Sequence, residues 1–340
     1  MLFRLPPEEA QRLAFAALDA LRWLPARPAP GRPVQLMGLS FPNRVGLAAG
    51  FDKSAAHIDA LARLGFGFIE VGTVTPRPQP GNPPPTIFRL VKDKALINRM
   101  GFPSEGAEAA ARNLERRRSK VICGVNIGKN RDTPLADAAR DYVACLEVLY
   151  PLAHYVTINI SSPNTAGLRE LQHAQALRAL LTEVAAARER LQGVHGRRVP
   201  LLVKLAPDLD AGQMEETARE LAALPVDGVI ATNTTTGRPA QLRSAAAAEQ
   251  GGLSGAPLTP LALACVGTLR TLLPPSVPII GAGGVMTAWD GARLRAAGAD
   301  LLQVFTGLIY RGPVLVRELA ALSGLGGVDG QMMGGLNRAP

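Results

Sequence analysis

Histidine, cysteine and aromatic residues are scarce in this 340-residue chain, and each scarcity narrows the possible functions. The three cysteines (Cys123, Cys145, Cys265) are too few, and odd in number, for a disulfide framework. They read as reduced core thiols of a cytosolic protein. The four histidines (His57, His154, His173, His195) have no metal-ligand spacing and none ends a strand-like run, which argues against a metal centre. Aromatic residues make up 4 % of the chain and do not interleave with the densest basic run, Arg116-Arg117-Arg118. That argues against a stacking platform for single-stranded nucleic acid. No apolar run reaches the roughly 18 residues of a spanning helix. No cleaved leader is expected either, because the first apolar stretch contains Asp19 and Arg22 and no small-residue cleavage site follows it.

Apolar residues, at 47 %, are plentiful enough for a large core, and the net charge is +9. Such a balance suits nucleic acid, an anionic membrane surface or a small anionic ligand. The run Arg116 to Lys120 reads more simply as a solvated helix C-terminus, where the macrodipole favours cations. Near the N-terminus, Pro6-Pro7-Glu8-Glu9 is a helix start. From Glu8 to Leu24, Leu13, Ala14, Ala17, Leu18, Leu21 and Leu24 share one face and Gln11, Arg12, Asp19 and Arg22 the other. Phe15 and Trp23 project near the polar side, as in helices that lie in a membrane interface, so packing and membrane contact both stay open. Ala26 to Pro33, rich in proline, is a stiff linker and the best boundary in the chain.

Beyond it, short apolar runs alternate with longer amphipathic ones. The runs are 45–49, 68–71, 121–126, 155–160, 201–205, 228–231, 278–281 and 301–305; helices are expected at 55–64, 104–118, 134–149, 171–191, 213–224, 258–273 and 288–297. Strand alternating with helix implies a parallel sheet, and eight such units imply an α/β fold of the closed (β/α)8, or TIM barrel, type with a small N-terminal helical extension. The expected organisation is an extension over residues 1–32, a barrel over 33–322 and a flexible, glycine-rich tail over 323–340.

A barrel of this kind carries its chemistry at the C-terminal strand ends. Those ends hold Ala49-Gly50 with Lys53, then Thr73, Asn126, Asn159 with Ser162, Lys204, Thr232-Asn233-Thr234, Gly281 to Gly284, and Phe305-Thr306-Gly307. Glycines after the seventh strand and Thr-Gly after the eighth suit a phosphate, with Gly251 to Gly255 as a third glycine-rich approach. Few carboxylates accompany them apart from Asp52, so two-carboxylate hydrolysis and magnesium chemistry are disfavoured. Asparagines, hydroxyls and two lysines instead suit an imide-rich ring that becomes electron-rich, with the hard chemistry supplied by a cofactor.

The motifs Val45–Lys53, Ile69–Pro76, Ile97–Phe102, Gly124–Asn130, Asn159–Asn164, Val203–Asp208, Thr232–Thr235 and Gly251–Gly255 are long and mutually spaced. In that order, from about Pro7 to Gly312, the chain resembles the class 2 dihydroorotate dehydrogenases, flavin enzymes that pass electrons to a membrane quinone. The resemblance implies oxidation of (S)-dihydroorotate to orotate in pyrimidine (UMP) biosynthesis, with loss of a proton from C5 to Ser162 and of a hydride from C6 to flavin N5. Serine at that position, where class 1 relatives carry cysteine, is the mark of class 2. The resemblance further implies that FMN is held by Ala49, Gly50, Phe51, Asp52, Lys53, Thr73, Asn126, Asn159, Lys204, Thr232, Gly255, Gly284, Phe305 and Thr306. Dihydroorotate would be held by Lys53, Asn98, Arg99, Met100, Gly101, Phe102, Asn159, Asn164, Asn233 and Thr234. Arg89, in Thr86–Leu90, matches a residue on the quinone side.

The same resemblance implies peripheral attachment to the cytoplasmic side of the cell membrane, with neither metal nor nucleic acid as partner. Family members usually carry a pair of N-terminal helices, and here only Met1–Leu5 precedes the second, so the first is either vestigial or cut off by a truncated chain start. Two rival readings remain: a soluble class 1-type flavin barrel using fumarate or NAD, and a non-catalytic basic binding protein on a barrel scaffold. The helix over 8–24 and Ser162 argue against the first. The joint presence of Ser162, Lys53 and Lys204 argues against the second.

Overall fold

The computed structural model describes residues 2–20 and 27–322. Helix α1 (Pro7–Ala20) opens with Glu8 and Glu9 in its first turn, where acidic groups oppose the exposed N–H dipoles. A hairpin follows, β1 (Val34–Leu36) and β2 (Leu39–Phe41), paired antiparallel across Met37-Gly38. The barrel then runs through β3 (Val45–Leu47) and β4 (Phe68–Val74). An excursion leaves the barrel at β5 (Ile87–Leu90) and β6 (Ala95–Asn98) before the barrel resumes at β7 (Ile122–Ile127), β8 (Tyr155–Asn159), β9 (Leu201–Leu205) and β10 (Gly228–Ala231). Strand β11 (Gly252–Gly255) lies outside the barrel, which closes with β12 (Ile279–Ala282) and β13 (Leu301–Val304). The eight barrel strands form a closed parallel cylinder in which β13 pairs with β3. The expected (β/α)8 architecture is therefore what this sequence forms.

Around it lie α2 (Ile58–Leu61), α3 (Ala107–Arg116), α4 (Ala138–Leu149), α5 (Ala174–His195), α6 (Ala211–Ala223), α7 (Thr259–Leu272), α8 (Ala288–Ala296), α9 (Thr306–Arg311) and α10 (Val314–Leu322). Their starts follow local chemistry. Asp210 and Gln213 form a reciprocal capping box on α6, and Thr287 and Asp290 form another on α8. Outward-facing strand residues such as Ile69, Val71, Ile158 and Val203 pack against these helices in the main core.

The inward-facing residues make layers. At the N-terminal end Phe68, Ile122, Tyr155, Leu202, Ile230, Ile280 and Leu301 form an apolar floor, and the hairpin closes it from below with Phe41, Leu36 and Leu39. Tyr155 fits because its neighbour on β7 is Gly124; a Cβ there would lie 2.0 Å from the ring. Two residues further along the same strands the lining becomes polar, with Glu70, Thr157, Lys204 and Gln303, all buried.

Several elements depart from the expected pattern. Residues 55–64 form one helical turn and a 3-10 turn, α3 starts at Ala107 and α5 is displaced to Ala174–His195. Both the hairpin and the three-stranded sheet β11-β6-β5 were unforeseen. Phe15 does not face outward: it stacks on His57 at 3.9 Å and meets Phe51 edge-on at 5.7 Å. Helix α1 is pinned further by Gln11 to the Phe51 carbonyl, by His57–Asp19, and by Glu8, which accepts from the Thr86 N–H and hydroxyl. Residues 21–24, with Trp23, and the tail over 323–340 lie outside the described residues.

Candidate active site

The C-terminal strand ends open into a cavity of about 450 Å³ that reaches from the barrel axis to α1. Its floor is a hydrogen-bonded chain. Glu70, fully buried, accepts from Asn126 Nδ2 (2.9 Å), Tyr155 Oη (3.1 Å), Thr157 Oγ1 (3.1 Å) and Gln303 Nε2 (2.8 Å). With its amide turned toward Glu70, Asn126 presents Oδ1 upward, where it accepts from Thr73 Oγ1 (2.6 Å) and Asn159 Nδ2 (2.9 Å). Asn159 Oδ1 in turn accepts from the Ser161 hydroxyl at 3.0 Å. Each amide is therefore fixed in one orientation by its neighbours.

Beside this chain Lys204 is 5 % exposed and lines the cavity, yet among the described residues its ammonium makes no hydrogen bond. Burial pushes its pKa down, opposed by the Glu70 charge. Lys53 lines the opposite wall, and desolvation lowers its pKa as well, opposed by Asp52. The cavity is otherwise largely apolar. Two lysines presented to it, neither with a hydrogen bond or salt bridge among the described residues, call for an anionic or electron-rich occupant.

The loop after β8 carries Ser162, which is 5 % exposed. Its Oγ accepts from the Asn164 N–H at 3.3 Å. Asn164 Nδ2 reaches the Asn98 carbonyl and side-chain oxygens, both at 3.1 Å, tying this loop to β6. Asn233 Nδ2 donates to Ser161 Oγ at 3.0 Å, tying it to the loop after β10. Arg169 completes the clamp. It donates to the Ser161 and Thr234 carbonyls (3.1 and 2.9 Å) and pairs with Asp208 at 2.7 Å, and Asp208 also accepts from Thr235 and Thr236.

The glycine-rich rim lies across the cavity. Gly284 has φ +71°, and a Cβ there would sit 2.3 Å from Thr259 Oγ1, so only glycine permits this approach. Gly255, from β11, and Thr306 share that wall, and Thr306 donates to Ser254 Oγ at 2.8 Å. Phe305 meets Phe51 edge-on at 5.5 Å. The apolar end of the cavity is lined by Ala10, Ala14 and Leu18 of α1 with Leu308 and Ile309. Arg89 closes it, donating to the Leu5 carbonyl at 2.6 Å with its guanidinium 5.0 Å from the Phe3 ring centre; among the described residues it makes no salt bridge.

Most of the residues singled out in the sequence meet on this surface: Ala49, Gly50, Phe51, Lys53, Thr73, Arg89, Asn98, Met100, Gly101, Phe102, Asn159, Ser162, Asn164, Lys204, Thr232, Asn233, Thr234, Gly255, Gly284, Phe305 and Thr306. Three do not. Asp52 is buried behind the wall, where it accepts the Ala56 and His57 N–H groups and shapes the loop that presents Lys53. Arg99 turns away to Glu249 (2.8 Å) and lies over the Phe88 ring. Asn126 sits beneath the cavity and acts through Thr73 and Asn159. Glu70, Gln303 and Arg169 were missed. A lone glutamate inside the apolar run Phe68–Val71 was the available signal for the first.

A dihydroorotate dehydrogenase family model matches residues 33–322. A protein from Stenotrophomonas maltophilia named dihydroorotate dehydrogenase (quinone) is 53 % identical over 324 residues, 93 % of this chain and 92 % of that protein. A protein of the same name from Nitrosospira multiformis is 51 % identical over 336 residues, 97 % of each chain. Among solved structures, a DHODH from Eimeria tenella in complex with ferulenol superposes with a TM-score of 0.86 at 40 % identity, covering 93 % of this chain and 90 % of that one. Together with the barrel and its polar rim, these matches make the chain a member of the dihydroorotate dehydrogenase family.

Proposed function

We propose that this chain oxidises (S)-dihydroorotate to orotate in pyrimidine biosynthesis, using FMN as its flavin and a membrane quinone as electron acceptor. The observation that carries the reading is the meeting of Ser162, the asparagines 98, 159, 164 and 233, the buried Lys204 and the half-buried Lys53 in one cavity with a glycine-lined wall. Relatives at 51–53 % identity bear the name dihydroorotate dehydrogenase (quinone), which supports the acceptor.

The donor set fits FMN. Lys204 offers a positive charge that makes no hydrogen bond among the described residues, Thr73 and Asn159 offer polar contacts along the floor, and Gly255, Gly284 and Thr306 suit the phosphate. Bound there, FMN would supply the hydride acceptor and the route for electrons to the quinone. Lys204 would stabilise negative charge on that ring. The asparagine set would hold the pyrimidine in a single orientation, replacing a bimolecular search with a prepared geometry. Ser162 would take the C5 proton. A free serine is a poor base, but the Asn164 N–H aimed at Oγ favours the state in which that oxygen has given up its proton.

At the other end, the apolar wall from α1 to Ile309 suits a quinone ring and tail, with Arg89 at the edge. Helix α1 then serves as part of that wall, and its exposed Leu13, with the exposed Phe3 of the turn before it, suits peripheral contact with the cytoplasmic face of the cell membrane. Among the described residues no helix is long and apolar enough to cross a membrane.

Steady-state oxidation of dihydroorotate by the purified protein, with several quinones and with fumarate and NAD as controls, tests this reading. Turnover with quinones alone is expected. Turnover driven by fumarate or NAD would move the chain to the class 1 type, and no turnover with any acceptor would sink the assignment.

A further inference from the structure

Among the described residues Glu70 is the one carboxylate at the barrel axis, and the proposed chemistry gives it no task. It is fully buried, all four of its donors are neutral, and no cation lies within salt-bridge distance among the described residues. Burying a carboxylate on these terms costs several kcal/mol, and a core selected only for stability would carry an apolar residue there. Two features show what the charge does. A carboxylate can only accept, so it dictates that Asn126 and Gln303 turn their NH2 groups toward it. The chain above then has one sense only: Asn126 Oδ1 faces Thr73 and Asn159, and Gln303 Oε1 is left buried at the cavity wall with no partner. The second feature is Lys204, whose ammonium faces the cavity without a hydrogen bond and whose nearest opposing charge is Glu70.

We propose, resting on the flavin site described above, that Glu70 is a positioning residue. Its carboxylate orients the Asn126–Thr73–Asn159 chain and supplies the counter-charge that keeps the buried Lys204 ammonium protonated for the ring it faces. The other titratable groups around Lys204 do not supply that charge. Cys123 on β7 has its thiol pushed up to about 12 by burial, and the Tyr155 phenol on β8 is raised by burial and by Glu70 itself, so both are neutral. Lys53 is itself a cation, and the charge opposing it is that of Asp52. Adjacent β10 carries no ionisable side chain, and neither do β12, β13 and β3 further round the barrel. Among the described residues Glu70 is therefore the only anion placed to hold the proton on Lys204.

The test uses the flavin-loaded protein. The midpoint potential of the bound flavin is followed against pH in wild type, Glu70→Gln and Lys204→Met. Glutamine keeps the size of the side chain but removes the charge and the acceptor-only character. Wild type should show no break from Lys204 between pH 6 and 9. Glu70→Gln should show one there, displaced downward by about one pH unit or more, and above the break its potential should match that of Lys204→Met. A profile parallel to wild type over the whole range would overturn the proposal. Should Glu70→Gln not fold, 15N NMR of the lysine side chains in wild type, assigned with Lys204→Met, decides it: a neutral Lys204 at pH 7.5 overturns the assignment, and a protonated one that makes no hydrogen bond upholds it. Failure of the functional reading looks different, because the purified protein would then carry no flavin to titrate.

Discussion

At the N-terminal end of the barrel Phe68, Tyr155, Leu202 and Leu301 fill the interior completely, and a hairpin seals them from solvent. Two residues further along the same strands stand Glu70, Thr157, Lys204 and Gln303. The floor has apolar groups matched only by shape, and a change there should alter stability without touching chemistry. The rim has polar groups that are satisfied by one another, or not at all, and changes there should do the reverse. The contrast shows how one sheet can be rigid and reactive at once. Strand pairing fixes both layers in the same frame, so the well-packed floor holds the poorly packed rim in place.

The sharpest way to break the comparison is at Ser162. Ser162→Ala should lower the rate of flavin reduction by dihydroorotate by about 10²–10⁴-fold, the range of a lost general base. Bound flavin and the denaturation midpoint should stay as in wild type. Near-normal reduction in stopped flow would remove Ser162 as base. At the floor the opposite outcome is expected. Phe68→Ala removes a fully buried ring and should cost about 3–5 kcal/mol in denaturant unfolding. The KM for dihydroorotate should hardly change below the transition, and a large rise in KM with unchanged stability would erase the distinction between the layers.

Arg169 tests the border between them. It touches no cavity surface but joins the Ser161 and Thr234 carbonyls to Asp208. Arg169→Met keeps the stem and loses the three contacts, freeing the serine loop from its neighbours. A fall of about 10–100-fold in flavin reduction follows if that loop must be held to within an ångström, with flavin content unchanged. Substrate oxidation at the wild-type rate would show that Asn164 and Asn233 position Ser162 unaided.

Most of the floor and helix packing was legible in the sequence because it follows a period. Runs such as Leu201–Leu205 and Gly228–Ala231 coincide with β9 and β10 because apolar strands between helices have few alternatives. The excursion β5–β6 was not, since Ile87–Leu90 and Ala95–Asn98 pair antiparallel with each other and with the distant β11. No local pattern encodes such a partner. The rim was legible through motifs, yet those same motifs gave binding roles to Asp52 and Arg99, whose side chains turn to the Ala56 and His57 N–H groups and to Glu249. The packing of Phe15 was left open for a related reason. Its partners His57 and Phe51 come from the loop after β3, and helical periodicity does not reveal a tertiary partner on the polar side.

The smallest expected effect lies where α1 meets the excursion. Burial raises the Glu8 pKa, but the hydrogen bonds it accepts from its own N–H and from the Thr86 N–H and hydroxyl outweigh that, leaving it below its ordinary value. A carboxyl depressed on folding contributes stability above its unfolded pKa and loses that contribution as pH falls through the lower, folded value. Glu8→Gln should therefore weaken the docking of α1 by about 0.5–1.5 kcal/mol at neutral pH, read as faster hydrogen exchange in Ala10–Ala17. The difference from wild type should close as pH falls through the lowered folded value, where Glu8 itself becomes protonated. Flavin reduction by dihydroorotate should be unchanged at either pH, whereas the KM for quinone should rise with the exchange rate if α1 forms the quinone wall. A KM for quinone that ignores the loosening of α1 would separate this helix from the acceptor site, and leave its contacts with Phe51 and His57 as packing alone.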